Sequence, residues 1–143
     1  MAISGISEIG GRIEPVLSGN SDVVAAYLFG SAAKNRMRPG SDIDIALLLA
    51  EGGRRPDRKV LLERLLPPLC RALRGDVHLL LLNDASYLAR SQVFKSGRLL
   101  YVRDQRQLTL FRMKSAALFA DFAPCLRLTQ KGLQKRLRQG HGG

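Results

Sequence analysis

Apolar positions along this chain fall into two kinds of pattern. VVAAYLF (23–29) is an unbroken apolar run with β-branched and aromatic members, and DIDIALLLA (42–50) and DVHLLLLN (76–83) are similar runs. Runs of this length and composition predict strands buried on both faces. GRLLYV (97–102) is shorter and predicts a small edge strand. Elsewhere the apolar residues recur at helical spacing. GISEIGGRIEPVLS (5–18) predicts a weak opening helix, interrupted by its glycines and by Pro15. DRKVLLERLLPPLCRALRG (57–75) predicts a stronger one, with Asp57 as N-cap and Gly75 as the stop. Its Pro67-Pro68 pair is expected to kink or divide it, since each proline lacks the N–H that a helix interior needs.

Residues 84–95 predict a short helix carrying Leu88, Val93 and Phe94. From 105 to 138 the pattern is helical again, broken near Pro124, with Leu108, Phe111, Ala116, Phe119 and Phe122 as candidate core positions. AAKNR after Ser31 predicts a brief helical turn, MRPGS a loop, and EGGRRP (51–56) a connection. The order of elements predicts one α/β (α+β) domain over 1–143: a short mixed sheet with helices packed on it, and 105–138 as a C-terminal helical extension.

Composition changes this picture little, and charge changes it more. With 143 residues, 45% of them hydrophobic and 24% charged, the chain suits one domain with a genuine core. No apolar run nears the ~18 residues that span a bilayer, and the first residues lack the basic start and apolar core of a secretory leader. A cytoplasmic protein without membrane attachment is expected. Cys70 and Cys125 have no metal-ligand spacing and are expected to be buried thiols in a reducing compartment. The net charge of +11 favours an anionic partner: nucleotide phosphates, nucleic acid or an acidic protein surface. Beyond Asp121 no acid remains, while Arg127, Lys131, Lys135, Arg136 and Arg138 follow. A solvated basic helix face explains that stretch equally well. In the same stretch Leu126, Leu133 and Leu137 are expected to pack within the chain rather than against a partner.

Against this background Asp42 and Asp44 are out of place. Strand side chains alternate, so both project from one face of an otherwise apolar strand. Two carboxylates about 5–7 Å apart repel by a few kcal/mol at an effective dielectric near 20, and desolvation adds to that cost. A hard divalent cation offsets both, because Mg²⁺ takes one or two carboxylates together with substrate phosphates. Gly30-Ser31, ending the preceding strand, supplies the other half: backbone a phosphate can approach, N–H groups of a following helical turn, and a hydroxyl donor. A short antiparallel return would bring the two halves together, as a metal-bound triphosphate requires.

The stretch GSAAKNRMRPGSDID fits G-S-x10-D-x-D and resembles the signature of the DNA polymerase β-like nucleotidyltransferases. The small size and the SDIDIALLL context look like the minimal nucleotidyltransferase (MNT) branch. LLNDASYLARSQVFKSGRLLYVRD and FADFAPCLRL extend the likeness over nearly everything after residue 20. The resemblance implies the nucleotidyltransferase fold, ATP as substrate, Mg²⁺ as cofactor, and a helical HEPN RNase toxin as partner. It implies an antitoxin that transfers AMP to a toxin tyrosine. By position, Gly30 and Ser31 match the phosphate-binding pair and Asp42 and Asp44 the metal-binding, catalytic carboxylates. Arg36 and Arg38 lie in the connecting loop, within reach of a triphosphate or of solvent alone.

One position departs from the family pattern. A third carboxylate is usual on the next strand, and anchoring on LLNDA puts His78 there. Asp76, two residues earlier on the same strand face, is the substitute if the register shifts by two. Histidine suits softer metals than Mg²⁺, yet it accepts protons near neutral pH. Asp76 and His78 are therefore both candidate proton acceptors. The alternative function is a catalytically impaired module of the same fold that neutralises its partner by binding. An RNA-binding or RNA-modifying protein ranks below it, and nucleic acid is not expected as the direct substrate. Self-association into a homo-oligomer is compatible with the sequence.

Overall fold

The computed structural model of the chain describes residues 5–30, 42–51 and 57–118. Four strands form one sheet in the order β3-β2-β1-β4. They are β1 (Val23–Phe29), β2 (Ile43–Leu49), β3 (Val77–Leu81) and β4 (Arg98–Val102). β1 runs antiparallel to β2 and β4, while β3 runs parallel to β2. The sheet is mixed for a simple reason. The β1–β2 connection returns directly, whereas β2 reaches β3 through helix α2 (Arg58–Leu73), the crossover that a parallel pair needs.

Helices cover both faces, which explains why the central strands are apolar throughout. On one face, α1 (Ile6–Ser18) and α2 press Ile9, Ile13, Leu17, Leu61, Leu65 and Leu69 against Leu28, Ile43, Ile45 and Leu47. On the other, α3 (Tyr87–Ser96) and a helix over 105–118, here α4, bring Val93, Phe94, Leu108 and Phe111 onto Val24, Tyr27, Ala46 and Leu48. The 105–138 extension is thus helical over the part described; 119–138, with Phe119, Phe122, Leu126, Leu133, Leu137 and Cys125, lies outside the described residues.

Several expectations need correction. α1 continues through its glycines and Pro15, and α2 runs unbroken through Pro67 and Pro68. The carbonyls those prolines leave unpaired, four residues earlier at Gly11, Glu63 and Arg64, belong to exposed residues where water can take the missing bond. The buried stripe of Leu61, Leu65, Leu69 and Leu73 then holds α2 together. Asp57 caps α2, accepting from the Lys59 N–H at 2.9 Å. At the other end the left-handed residue is Arg74, φ 54°, and Gly75 follows it with its N–H on the Cys70 carbonyl. α3 begins later than expected because Leu82–Asp84 forms a 3-10 turn and Ser86 is the N-cap, accepting from the Ala89 N–H at 3.1 Å. Ala116 is exposed, and Ser115 is buried in its place, seven residues on from Leu108 on the sheet-facing side of α4. Cys70 is half-buried rather than buried.

Polar side chains tie the second face together. Asn83 accepts from the Leu49 N–H (2.8 Å) and donates to the Leu49 carbonyl (2.9 Å), fixing the end of β2. Arg90 donates to the carbonyls of Leu82 (2.9 Å) and Asn83 (2.8 Å) and to Ser115 Oγ (3.4 Å). Its guanidinium also packs on the rings of Tyr87 and Phe111, at 5.2 and 4.7 Å from their centroids. At Gly97 a Cβ would lie 3.1 Å from the Leu28 carbonyl oxygen and closer still to that of Val93. Only glycine lets α3 turn into β4 this close to β1.

Candidate functional site

The site lies where β1 ends and β2 begins. Register pairs Phe29 with Asp44 across β1–β2, so Gly30 sits beside the Asp44 carboxylate. Gly30 has φ +74°, and a Cβ there would collide with Asp44 Oδ2 and lie 3.3 Å from Asp44 Cγ. Glycine is required twice over, by its backbone conformation and by the carboxylate that fills the space of its missing side chain.

On the opposite side of Asp44 stands His78. The parallel register pairs the two residues directly, and His78 Nδ1 lies 3.3 Å from Asp44 Oδ1. Asp44 is therefore bracketed, one oxygen facing the glycine turn and the other an imidazole. Its side chain is 28% exposed and that of His78 67%, so the imidazole is open to an incoming group. Asp76 precedes β3, is exposed, and accepts the Ile43 N–H on its carbonyl at 3.0 Å. The unshifted register thus sets His78, not Asp76, beside Asp44. Asp42 is exposed, one residue ahead of β2.

Alternation along β2 places Asp44 on the same face as Ala46 and Leu48, the face that α3 and α4 cover. Next to it, between the end of β1 and α3, is a cavity of about 420 Å³ lined by Phe29, Gly30, Leu80, Ala89, Gln92 and Ser96. Gln92 and Ser96 did not stand out in the sequence; their only signal is a four-residue spacing that puts both on one side of α3. Ser31, Arg36 and Arg38 lie outside the described residues.

As a donor set, Asp42 and Asp44 offer the oxygens that suit Mg²⁺, and the carboxylate wedged against Gly30 leaves the backbone turn within its reach. His78 adds a nitrogen, which does not. Among the described residues no three His, Cys, Asp or Glu side chains are grouped to hold a metal ion by themselves. Any such ion would depend on phosphate oxygens and water to complete its shell. No helix among these residues is long and apolar enough to cross a membrane.

A sheet with paired acids at the start of its second strand and a glycine turn at the end of its first is the frame of a nucleotidyl-transferring domain. The chain belongs to the polymerase beta nucleotidyltransferase family, whose model matches residues 11–106. Its fold resembles a chain of a toxin–antitoxin complex with AMP-PNP, at 28% identity over 87% of this chain and 98% of that one, TM-score 0.69. The toxin–antitoxin MntA–HepT gives 28% identity over 87% and 97%, TM-score 0.63. A complex of tri-AMPylated Shewanella oneidensis HEPN toxin with MNT antitoxin gives 25% identity over 90% and 99%, TM-score 0.65. These neighbours agree with the minimal branch of the family. No curated protein matches the chain at a significant level.

Proposed function

We propose that this protein is an antitoxin that transfers AMP from ATP to a tyrosine hydroxyl of a HEPN-type toxin. The observation that carries the reading is the placement of Asp44 between Gly30 and His78. The similar solved complexes support it, one holding AMP-PNP and another an AMPylated toxin beside its MNT antitoxin.

In this reading the nucleoside enters the cavity between β1 and α3, and the phosphates lie along Gly30-Ser31, with Arg36 or Arg38 as further cations. Asp42 and Asp44 would hold Mg²⁺, which would supply neutralisation of triphosphate charge and polarisation of the α-phosphoryl group. The acceptor hydroxyl attacks the α-phosphorus in line; a new P–O bond forms, the bond to the bridging oxygen breaks, and pyrophosphate leaves. His78 takes the hydroxyl proton on Nε2 while its Nδ1–H donates to Asp44, which orients the ring. The acceptor comes from a second molecule.

The test uses purified full-length protein, its toxin partner and ATP labelled in the α-phosphate. Wild type transfers label, and Asp42→Asn lowers transfer by at least ~100-fold. His78→Asn lowers it by roughly 100-fold, the scale of a lost general base, and His78→Asp retains it. Equal labelling by wild type and Asp42→Asn refutes the chemistry. The histidine at the acid position favours one other reading, a module that neutralises its partner by binding alone. Neutralisation by Asp42→Asn/Asp44→Asn at the wild-type level, without label transfer, would establish it.

A further inference from the structure

α3 separates two cavities, and only one belongs to the site above. Ala89, Gln92 and Ser96 face the cavity beside Gly30, whereas Ser91, Phe94 and Lys95 line a larger one, about 540 Å³, between α3 and α4. From α4 this second cavity receives Thr109, Arg112 and Ser115. Its volume falls within the range of small-molecule sites, roughly 300–1,000 Å³.

Its chemistry is one-sided. Lys95 and Arg112 bring two positive charges, three hydroxyls join them, and among the described residues no carboxylate is in the lining. The polar groups are also incompletely used. Ser115 is buried, and its Oγ accepts from Arg90, which leaves the hydroxyl hydrogen to donate. The Arg112 guanidinium lies over the Phe94 ring, 5.4 Å from its centroid. Beside Arg112 is the hydroxyl of Tyr27, which is 3% exposed and has no well-formed hydrogen bond among the described residues.

We propose that the cavity between α3 and α4 binds a small phosphate monoester with an apolar or aromatic moiety, separately from the catalytic nucleotide. The phosphate takes Lys95, Arg112 and the Ser91, Thr109 and Ser115 hydroxyls, whose donors outnumber what a carboxylate can accept. The organic part lies against Phe94. Because α3 lines both cavities, occupancy of one bears directly on the helix that borders the other.

The test is amide chemical-shift titration of the full-length protein, with EDTA present so that the metal-dependent site is silent. The probes are AMP, ribose 5-phosphate, inorganic phosphate and sulfate. AMP is expected to give saturable shifts in residues 91–95 and 109–116 and to bind more tightly than inorganic phosphate or sulfate. Ribose 5-phosphate separates a demand for the base from a demand for any phosphate ester. Lys95→Gln and Arg112→Gln each weaken binding about tenfold or more, the scale of a charge-assisted hydrogen bond. Thr109→Val, which keeps charge and volume, weakens it several-fold, and Asp44→Asn leaves it within twofold. Absence of saturation by ~10 mM AMP, equal affinity for sulfate and AMP, or binding that survives Arg112→Gln but not Asp44→Asn overturns the proposal.

Discussion

Gly30→Ala isolates the contact on which the site is built. Alanine at φ +74° bears a backbone cost of about 1 kcal/mol, since the left-handed region crowds a Cβ. Its methyl group would also collide with Asp44 Oδ2. A carboxylate on one side chain can swing away, at about 0.5–1.5 kcal/mol for leaving its rotamer well. Together these give a loss of about 2 kcal/mol, or roughly 6 °C in Tm for a chain of this size. The two parts are separable in a double-mutant cycle measured by urea unfolding. In an Asp44→Ala background the collision is gone and Gly30→Ala costs only the backbone part, about 1 kcal/mol. Activity is more sensitive than stability, because a carboxylate displaced by about 1 Å lowers transfer about 100-fold. If Gly30→Ala costs the same in both backgrounds, the Gly30–Asp44 contact is not what holds the turn.

Two further predictions concern stability. Pro67 lies within α2 at an exposed position, so Pro67→Ala restores a helical N–H without disturbing the core. Helix propensity favours the change by up to ~3 kcal/mol and unfolded-chain entropy opposes it by up to ~1, so urea unfolding is expected to show a gain of about 1–2 kcal/mol. A loss would mean that the proline pair serves the packing of α2. Tyr27 bears on pH: burial pushes its hydroxyl above the ordinary value, and the nearby Arg112 pulls it part of the way back. The unfolded chain therefore ionises first as pH rises, and stability present below about pH 10 is lost above it. Tyr27→Phe removes that part of the alkaline limb and at neutral pH is near neutral, since the hydroxyl has no well-formed partner to lose. A steep alkaline decline unchanged in Tyr27→Phe would refute the assignment.

The sheet was legible because its strands needed no partner to be recognised. Val23–Phe29 is apolar on both faces and Ile43–Leu49 is so but for Asp44, and that pattern has few other solutions. Helix continuity was less legible, since the exposure of Pro15 and Pro67 decides whether a missing N–H breaks a helix, and exposure is a tertiary property. The same holds for α4. Leu108 and Phe111 have the right period, but Ala116 in place of Ser115 is an error of one position in phase, and a single buried serine is not distinguishable by hydrophobicity. The cavity edge formed by Gln92 and Ser96 was hidden for a related reason: polar residues at helical spacing read as a solvated face.

The departure at His78 becomes intelligible once the register is known. A carboxylate there would face Asp44 across adjacent strands with Asp42 close by, a concentration of negative charge that only a tightly held cation makes tolerable. With an imidazole in that place, Asp44 Oδ1 has His78 Nδ1 at 3.3 Å where a second carboxylate would otherwise stand. In the proposed mechanism the exchange removes an oxygen ligand and leaves a proton acceptor, so that metal binding would fall to Asp44 and proton transfer to His78. His78→Asp should reunite them, raising Mn²⁺ affinity in the absence of nucleotide while lowering the stability of the metal-free protein. If neither quantity moves, His78 is not part of the site, and Asp44 meets its partner elsewhere.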